Sequence, residues 1–182
     1  IDPATGQEVF IKLDGTRTFL YSADDKVVVG DKEPKFQGTV STNIFYKGFS
    51  LYLMGTFKCG GYLYNETRAT RVEGNSGKTN VDQRAFDDRW KSPGNITTYR
   101  NIANHSTPEH TDRFVEKDNV FTLSSVNLGY EFSPRFCQKL MVRNLRLGVN
   151  LTDILRLSNV KVERGLTYIY SNGFEFTLST TF

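Results

Sequence analysis

Gly173-Phe174-Glu175-Phe176-Thr177-Leu178-Ser179-Thr180-Thr181-Phe182 alternates without a break. Phe174, Phe176, Leu178, Thr180 and Phe182 fall on one face, and Glu175, Thr177, Ser179 and Thr181 on the other. A period of two over this length is a β-strand with one apolar and one polar face. About nine to eleven residues is the length that a tilted strand needs to cross a bilayer. The segment therefore reads as the closing strand of an outer-membrane β-barrel, with Phe182 at the membrane interface.

The same pattern recurs upstream. Leu145, Leu147, Val149 and Leu151 alternate with polar or small residues in 144–153, and Val126, Leu128, Tyr130 and Phe132 do so in 120–132. Phe121 and Leu123 are out of phase with the latter set, which predicts a bulge near Ser124-Ser125 or a strand that starts late. Val40, Thr42, Ile44 and Tyr46 alternate in 37–47; Phe49, Leu51, Leu53, Gly55 and Phe57 alternate in 49–58. Between them Gly48 supplies the positive φ of a two-residue hairpin turn. The fifth strand is 171–182.

Connections alternate in character. Lys47-Gly48 is tight and Ser133–Arg143 is short, whereas 59–119 and 154–170 are long and polar. Short turns on one side and long loops on the other are the asymmetry of bacterial outer-membrane barrels. With the short turns periplasmic, parity leaves the C-terminus in the periplasm. Tyr46, Phe49, Tyr130, Phe132 and Phe182 then gather at the periplasmic end, and Phe36, Phe57, Phe121 and Phe174 at the outer end. Residues 1–36 are expected as an outer loop, with short β segments at Val9–Leu13, Thr16–Ser22 and Lys26–Gly30 and a hairpin at Asp14-Gly15. The polar faces present Asn43, Tyr52, Asn127, Arg146 and Asn150 as candidate lumen-lining residues. Glu131 and Arg146 are expected to form a lumenal ion pair. Phe182 is expected to serve as the barrel-assembly signal.

Composition is consistent with this reading. The chain has 182 residues and a formal net charge of +3; 14 Phe and 9 Tyr against one Trp make the aromatic content suit strands and interfacial belts. Mean hydropathy is −0.43 with no long apolar run, so no transmembrane helix is expected, a test that a barrel escapes. Lys and Arg are scattered rather than striped, which does not point to nucleic acid. The start at Ile1, without an initiator Met or a signal peptide, is read as a mature product or a fragment. Cys59 and Cys137 fall near opposite ends of the wall and are expected not to be bonded to each other. Five strands cannot close a barrel, since small barrels need about eight. The chain is thus expected to be part of a larger barrel.

Several motifs admit a sharper reading. His105 and His110 share a polar loop with Pro108 and have no third ligand at a recognisable spacing, so they read as solvated histidines rather than a metal site. Asp87-Asp88 beside Arg89 reads as a capped turn. The sequons at Asn65, Asn95, Asn104 and Asn150 read as chance. Trp90 offers either a ring for ligand stacking or an anchor for its own loop, and a loop this long needs some internal core. No nucleophile–base constellation or phosphate loop is present, so neither catalysis nor a cofactor is expected.

Asp25-Lys-Val-Val-Val-Gly-Asp-Lys-Glu-Pro-Lys-Phe-Gln-Gly38, Tyr46-Lys-Gly-Phe-Ser-Leu51, Arg89-Trp-Lys-Ser-Pro-Gly-Asn-Ile-Thr97, Arg113-Phe-Val-Glu-Lys-Asp118 through Val126-Asn-Leu-Gly-Tyr130, and Asn150-Leu-Thr-Asp153 occur in that order. Together they resemble the SusC/RagA family of TonB-linked outer-membrane transporters. Ile154–Asn172 departs from the family pattern. The resemblance implies a 22-stranded barrel with an N-terminal plug, a TonB-contacting segment, a SusD-like surface lipoprotein partner, and import of glycans or peptides. On it the chain is the end of the wall, all-β and antiparallel. The rival readings are a secreted β-sandwich binding module, in which a second sheet buries Leu145, Leu147, Val149 and Leu151, and a non-transporting outer-membrane barrel.

Overall fold

The computed structural model describes residues 1–75, 81–161 and 171–182. The chain divides into two compact units, Ile1–Gly30 with Leu63–Glu116, and Asp31–Tyr62 with Lys117–Phe182.

The second unit is built on an antiparallel sheet. Its strands are β3 (Phe36–Tyr46), β4 (Phe49–Tyr64), β5 (Val115–Glu131), β6 (Asn144–Ser158) and β7 (Gly173–Thr181), where β1 and β2 are the two short strands described below. They lie side by side in chain order, β3-β4-β5-β6-β7. Register follows the alternation: Ile44 faces Leu51, Leu128 faces Val149, Leu147 faces Leu178 and Leu151 faces Phe174. Like residues therefore meet across strands, and one face of the sheet is apolar from edge to edge.

The β3–β4 turn is made by Lys47 (φ 46°) and Gly48 (φ 86°), both left-handed, as a type I′ turn needs. A Cβ on Gly48 would sit 2.7 Å from the Glu131 carbonyl oxygen, and Glu131 N donates to the Gly48 carbonyl at 2.8 Å. Glycine is required here both by conformation and by the approach of β5. At the same end of the sheet the rings of Phe49, Tyr130, Phe132 and Phe136 form a chain with centroids 4.5–5.0 Å apart.

The β5–β6 register shifts between Leu123 and Ser125, and Asp153 opposite has a left-handed φ of 52°. Ser124 Oγ lies 3.3 Å from Thr56 Oγ1, and Ser125 Oγ accepts from Asn127 Nδ2 at 3.1 Å, so both serines turn to the polar face. That irregularity brings Phe121 back to the apolar face, where its ring would meet a Cβ on Gly55 at 2.7 Å.

Two features of the sheet and its connections differ from the alternation-based expectation. Strands β4, β5 and β6 run well past 58, 120 and 153 at the loop end. Their extra length is held by contacts that alternation does not encode: Lys58 Nζ to Asp118 at 2.5 Å, Gly60 N to Asn119 Oδ1 at 2.9 Å and Asn119 N to Asn159 Oδ1 at 2.8 Å. The 133–143 connection carries a helix, α1 (Pro134–Lys139), started by proline at its first turn and bringing Cys137 into burial. Cys59 and Cys137 are both free thiols. Residues 162–170, most of the expected 154–170 loop, lie outside the described residues.

The first unit has its own small core. Ala69, Val72, Ala85, Tyr99 and Phe114 are buried together, with Tyr64 and Val81 packed against them. β1 (Phe10–Ile11) and β2 (Arg17–Thr18) form a two-stranded hairpin whose turn has Gly15 at φ 83°. Residues Lys26–Gly30 are not a strand: among the described residues none pairs with them.

Candidate functional site

The polar face of the sheet gathers the candidate lining residues by register. Asn43 faces Tyr52, Asn127 faces Asn150 and Glu131 faces Arg146. Asn150 Nδ2 reaches Glu175 Oε2 on β7 at 3.4 Å. The face is thus a band of amides, hydroxyls and few charges, able to hold water and polar solute.

The expected Glu131–Arg146 ion pair does not form. The two residues are opposite one another, yet the guanidinium turns across the sheet and Arg146 Nη2 donates to Ser50 Oγ at 3.4 Å. Gly129 makes that turn possible, because a Cβ there would stand 3.0 Å from Arg146 Nη2. Register fixes which backbones meet, but a long side chain still chooses among several polar neighbours. Both side chains line a depression of about 250 Å³ beside the Lys47-Gly48 turn.

In the first unit Trp90 is buried (9% exposed), and its ring is covered by Gly6, where a Cβ would come within 2.5 Å of Cδ2. Its Nε1 donates to the Pro3 carbonyl at 2.8 Å and its backbone N to the Tyr99 carbonyl at 3.0 Å. This is the anchor geometry; no ring face is left for a ligand to stack on. Asp88 accepts from Thr98 N at 3.2 Å and from Tyr99 N at 3.1 Å, which makes the acidic pair part of a turn. His110 lies against the Tyr64 ring, with centroids 4.7 Å apart.

Beneath this loop lies a charge cluster that no sequence pattern announced. Arg100 (2% exposed) pairs with Glu8 at 3.3 Å and stands 3.6 Å from Glu73 (1% exposed). Arg113 reaches Glu8 at 3.4 Å and also contacts Glu73. Arg89, equally buried, donates to the carbonyls of Ala85 and Val72 at 2.6 Å each. Burial pushes the Glu8 carboxyl above its ordinary range; Arg113 opposes that rise and Glu73 adds to it. Removing any one partner would strand a buried charge, so the cluster ties residues 1–30 to the 63–116 loop. The four charges lie far apart in the chain, and only the Arg113-Phe114 motif hinted that one of them mattered.

Alongside the cluster runs an open cleft of about 750 Å³, walled by Phe10, Tyr21, Tyr64 and His110 on one hand and Val27 and Val29 on the other.

A five-stranded antiparallel wall with one apolar exposed face, one polar face, short turns at one end and elaborated loops at the other defines the class of β-barrel wall segments. No protein-family model matches the sequence. The chain is 23% identical over 143 residues to TonB-dependent receptor P39 of Formosa agariphila, which spans 76% of this chain and 14% of that receptor. It superposes on the structure of the RagAB peptide transporter with a TM-score of 0.70 at 18% identity, covering 88% of this chain and 18% of that one. The RagAB peptide importer in its open-open state gives 0.71 at 18% identity, over 88% and 18% of the two chains. The fold is thus that of the RagA barrel wall, and the chain is SusC/RagA-like; it spans under a fifth of each of these relatives.

Proposed function

We propose that this chain forms wall strands and outer loops of a TonB-dependent outer-membrane importer for oligopeptides or glycans. The observation that carries the reading is the sheet's apolar face. Phe174, Phe176 and Leu178 on β7 are 62–72% exposed and stand in register with Leu151, Val149 and Leu147. A row of large apolar side chains left open on a regular sheet has lipid as its natural solvent. A secreted sandwich would cover that row with a second sheet, and among the described residues none does so.

On this reading Asn43, Tyr52, Asn127, Arg146 and Asn150 line the lumen, the C-terminus is periplasmic, and Phe182 acts as the assembly signal. The energy-coupling contacts with TonB and the plug belong to other parts of the protein. A SusD-like lipoprotein covers the outer opening, as the paired composition of RagAB suggests. The test is uptake of labelled oligopeptides and oligosaccharides by cells carrying or lacking the complete gene. The reading expects uptake of one solute class that requires the gene and stops when the proton-motive force is collapsed. Uptake unaffected by deletion would overturn it.

A further inference from the structure

Lys26-Val27-Val28-Val29-Gly30 has the composition of a strand without the partner of one. It leaves Lys26 in extended geometry (φ −69°, ψ 134°). Among the described residues, no hydrogen bond is made by the backbone of 27–30, although Lys26 N bonds to the Ala23 carbonyl just before. Val27 is 62% exposed, Val28 96% and Val29 46%. Three consecutive β-branched residues that follow this extended position, with free backbone donors and acceptors, form an edge of the kind that proteins normally cover or blunt.

The edge borders a built cavity. Val27 and Val29 line the 750 Å³ cleft of the first unit, and Val28 does not. That is the alternation of a strand, with every second side chain facing the cleft. In the same lining Phe10 and Tyr21 hold each other edge to face at 5.5 Å and add apolar surface to the cleft. Its lining also carries both signs of charge, from Lys12, Lys26 and Arg113 to Asp25 and Asp112.

We infer that Val27–Gly30 is a docking edge for an extended peptide, which adds to it as a strand and sends alternate side chains into the cleft. The inference rests on the import reading and narrows its cargo at this site to peptide. Main-chain bonds along the edge would give affinity irrespective of sequence, and the cleft would select apolar residues at every second position. A neutral glycan lacks both the evenly spaced amides that match the edge and the terminal charges that match the rim. Transported peptide is the occupant that the charge pattern favours.

The experiment uses the full-length protein in detergent and a fluorescein-labelled peptide, Lys-Val-Ser-Val-Ser-Val-Asp. Successive residues of a strand direct their amides to opposite edges, so Val28→Pro and Val29→Pro remove donors from different sides. The variant whose amide faces the peptide should weaken binding about tenfold, the effect of losing roughly one main-chain bond and its neighbour, and the other should weaken it several-fold less. Neither doing so, or both doing so alike, overturns the proposal. Wild-type protein provides a measurement free of folding effects: N-methylating alternate residues of the peptide should weaken binding in one phase and not in the other. Amide exchange at 27–30 should be fast without peptide and slowed about tenfold or more at saturation. Protection already present without peptide would mean that another part of the protein covers the edge, and would also overturn the proposal. The same variants in cells separate the two claims. Peptide uptake unchanged by both prolines leaves the import reading standing and removes the docking edge; absence of peptide uptake by the wild type removes the import reading itself.

Discussion

Gly6→Ala should release Trp90 from its anchor. Gly6 has a φ of 69°, and a Cβ there would stand 2.5, 2.7 and 2.9 Å from Cδ2, Cε3 and Cγ of the Trp90 ring. Carbon atoms rest about 3.5–4.0 Å apart, so ring or backbone must give way by roughly 1 Å. The left-handed backbone alone costs about 1–2 kcal/mol for alanine, and overpacking of this kind adds about 1–3 kcal/mol. Displacement also endangers the Trp90 Nε1 bond to Pro3 and the Asn101 N bond to the Gly6 carbonyl at 3.0 Å. Gly94→Ala is the control: its φ is 95° and nothing lies within 4 Å of the added carbon, so only the backbone term applies. Trp90 is the single tryptophan of this sequence, and any tryptophans elsewhere in the full-length protein are replaced by phenylalanine to leave Trp90 as the reporter. In urea titrations followed by its emission, Gly6→Ala should lose about 1–3 kcal/mol more than Gly94→Ala, and its native emission should shift to the red. Equal losses with unchanged emission would refute the anchor reasoning.

Three further outcomes follow from the same geometry. Arg100→Met leaves Glu8 and Glu73 with Arg113 as their shared partner, and should destabilise the loop unit by about 3–5 kcal/mol in the same urea assay. Because the folded protein raises the Glu8 pKa, it holds that proton more tightly than the unfolded chain does. The contribution of Glu8 to stability is therefore full at acid pH and lost as pH rises through the folded-state value; Glu8→Gln should flatten the fall in loop stability as pH rises above the ordinary carboxylate range. Gly48→Val places a β-branched residue at φ 86° against the Glu131 carbonyl, and should lower the yield of heat-modifiable barrel on gels, with about 2 kcal/mol or more lost at the turn.

The strands could be read from the sequence because their information is local. Alternation sets the face of every residue, Gly48 fixes the hairpin, and the phase slip between Leu123 and Val126 marks the irregularity at Ser124-Ser125. The far ends of β4 and β5 could not be read, since Cys59-Gly60-Gly61 breaks the alternation while Asp118 and Asn119 hold the strands together across the sheet. The helix at 134–139 was hidden in a connection too short to show a helical period. For the site, register placed Asn43 with Tyr52 and Asn127 with Asn150, but it could not show that Arg146 would prefer Ser50 to Glu131. The Glu8–Arg100–Glu73–Arg113 cluster is assembled from remote loop positions with no periodicity, so nothing local signals it. Val27–Val29 is the converse case: strand propensity is plain in the sequence, and only the structure reveals that no partner strand accompanies it among the described residues.

The central claim is that the apolar face of the sheet meets lipid and the polar face meets water. The most direct measurement is spin-label accessibility in the full-length protein in bilayers, with Cys59, Cys137 and any other native thiols replaced by serine. Labels at Leu128, Leu147 and Phe176 should be relaxed by oxygen, which concentrates in lipid. Labels at Asn43, Asn127 and Asn150 should be relaxed by a water-soluble nickel chelate. Water-soluble relaxation at all six positions, or the two sets exchanged, would contradict the barrel-wall account.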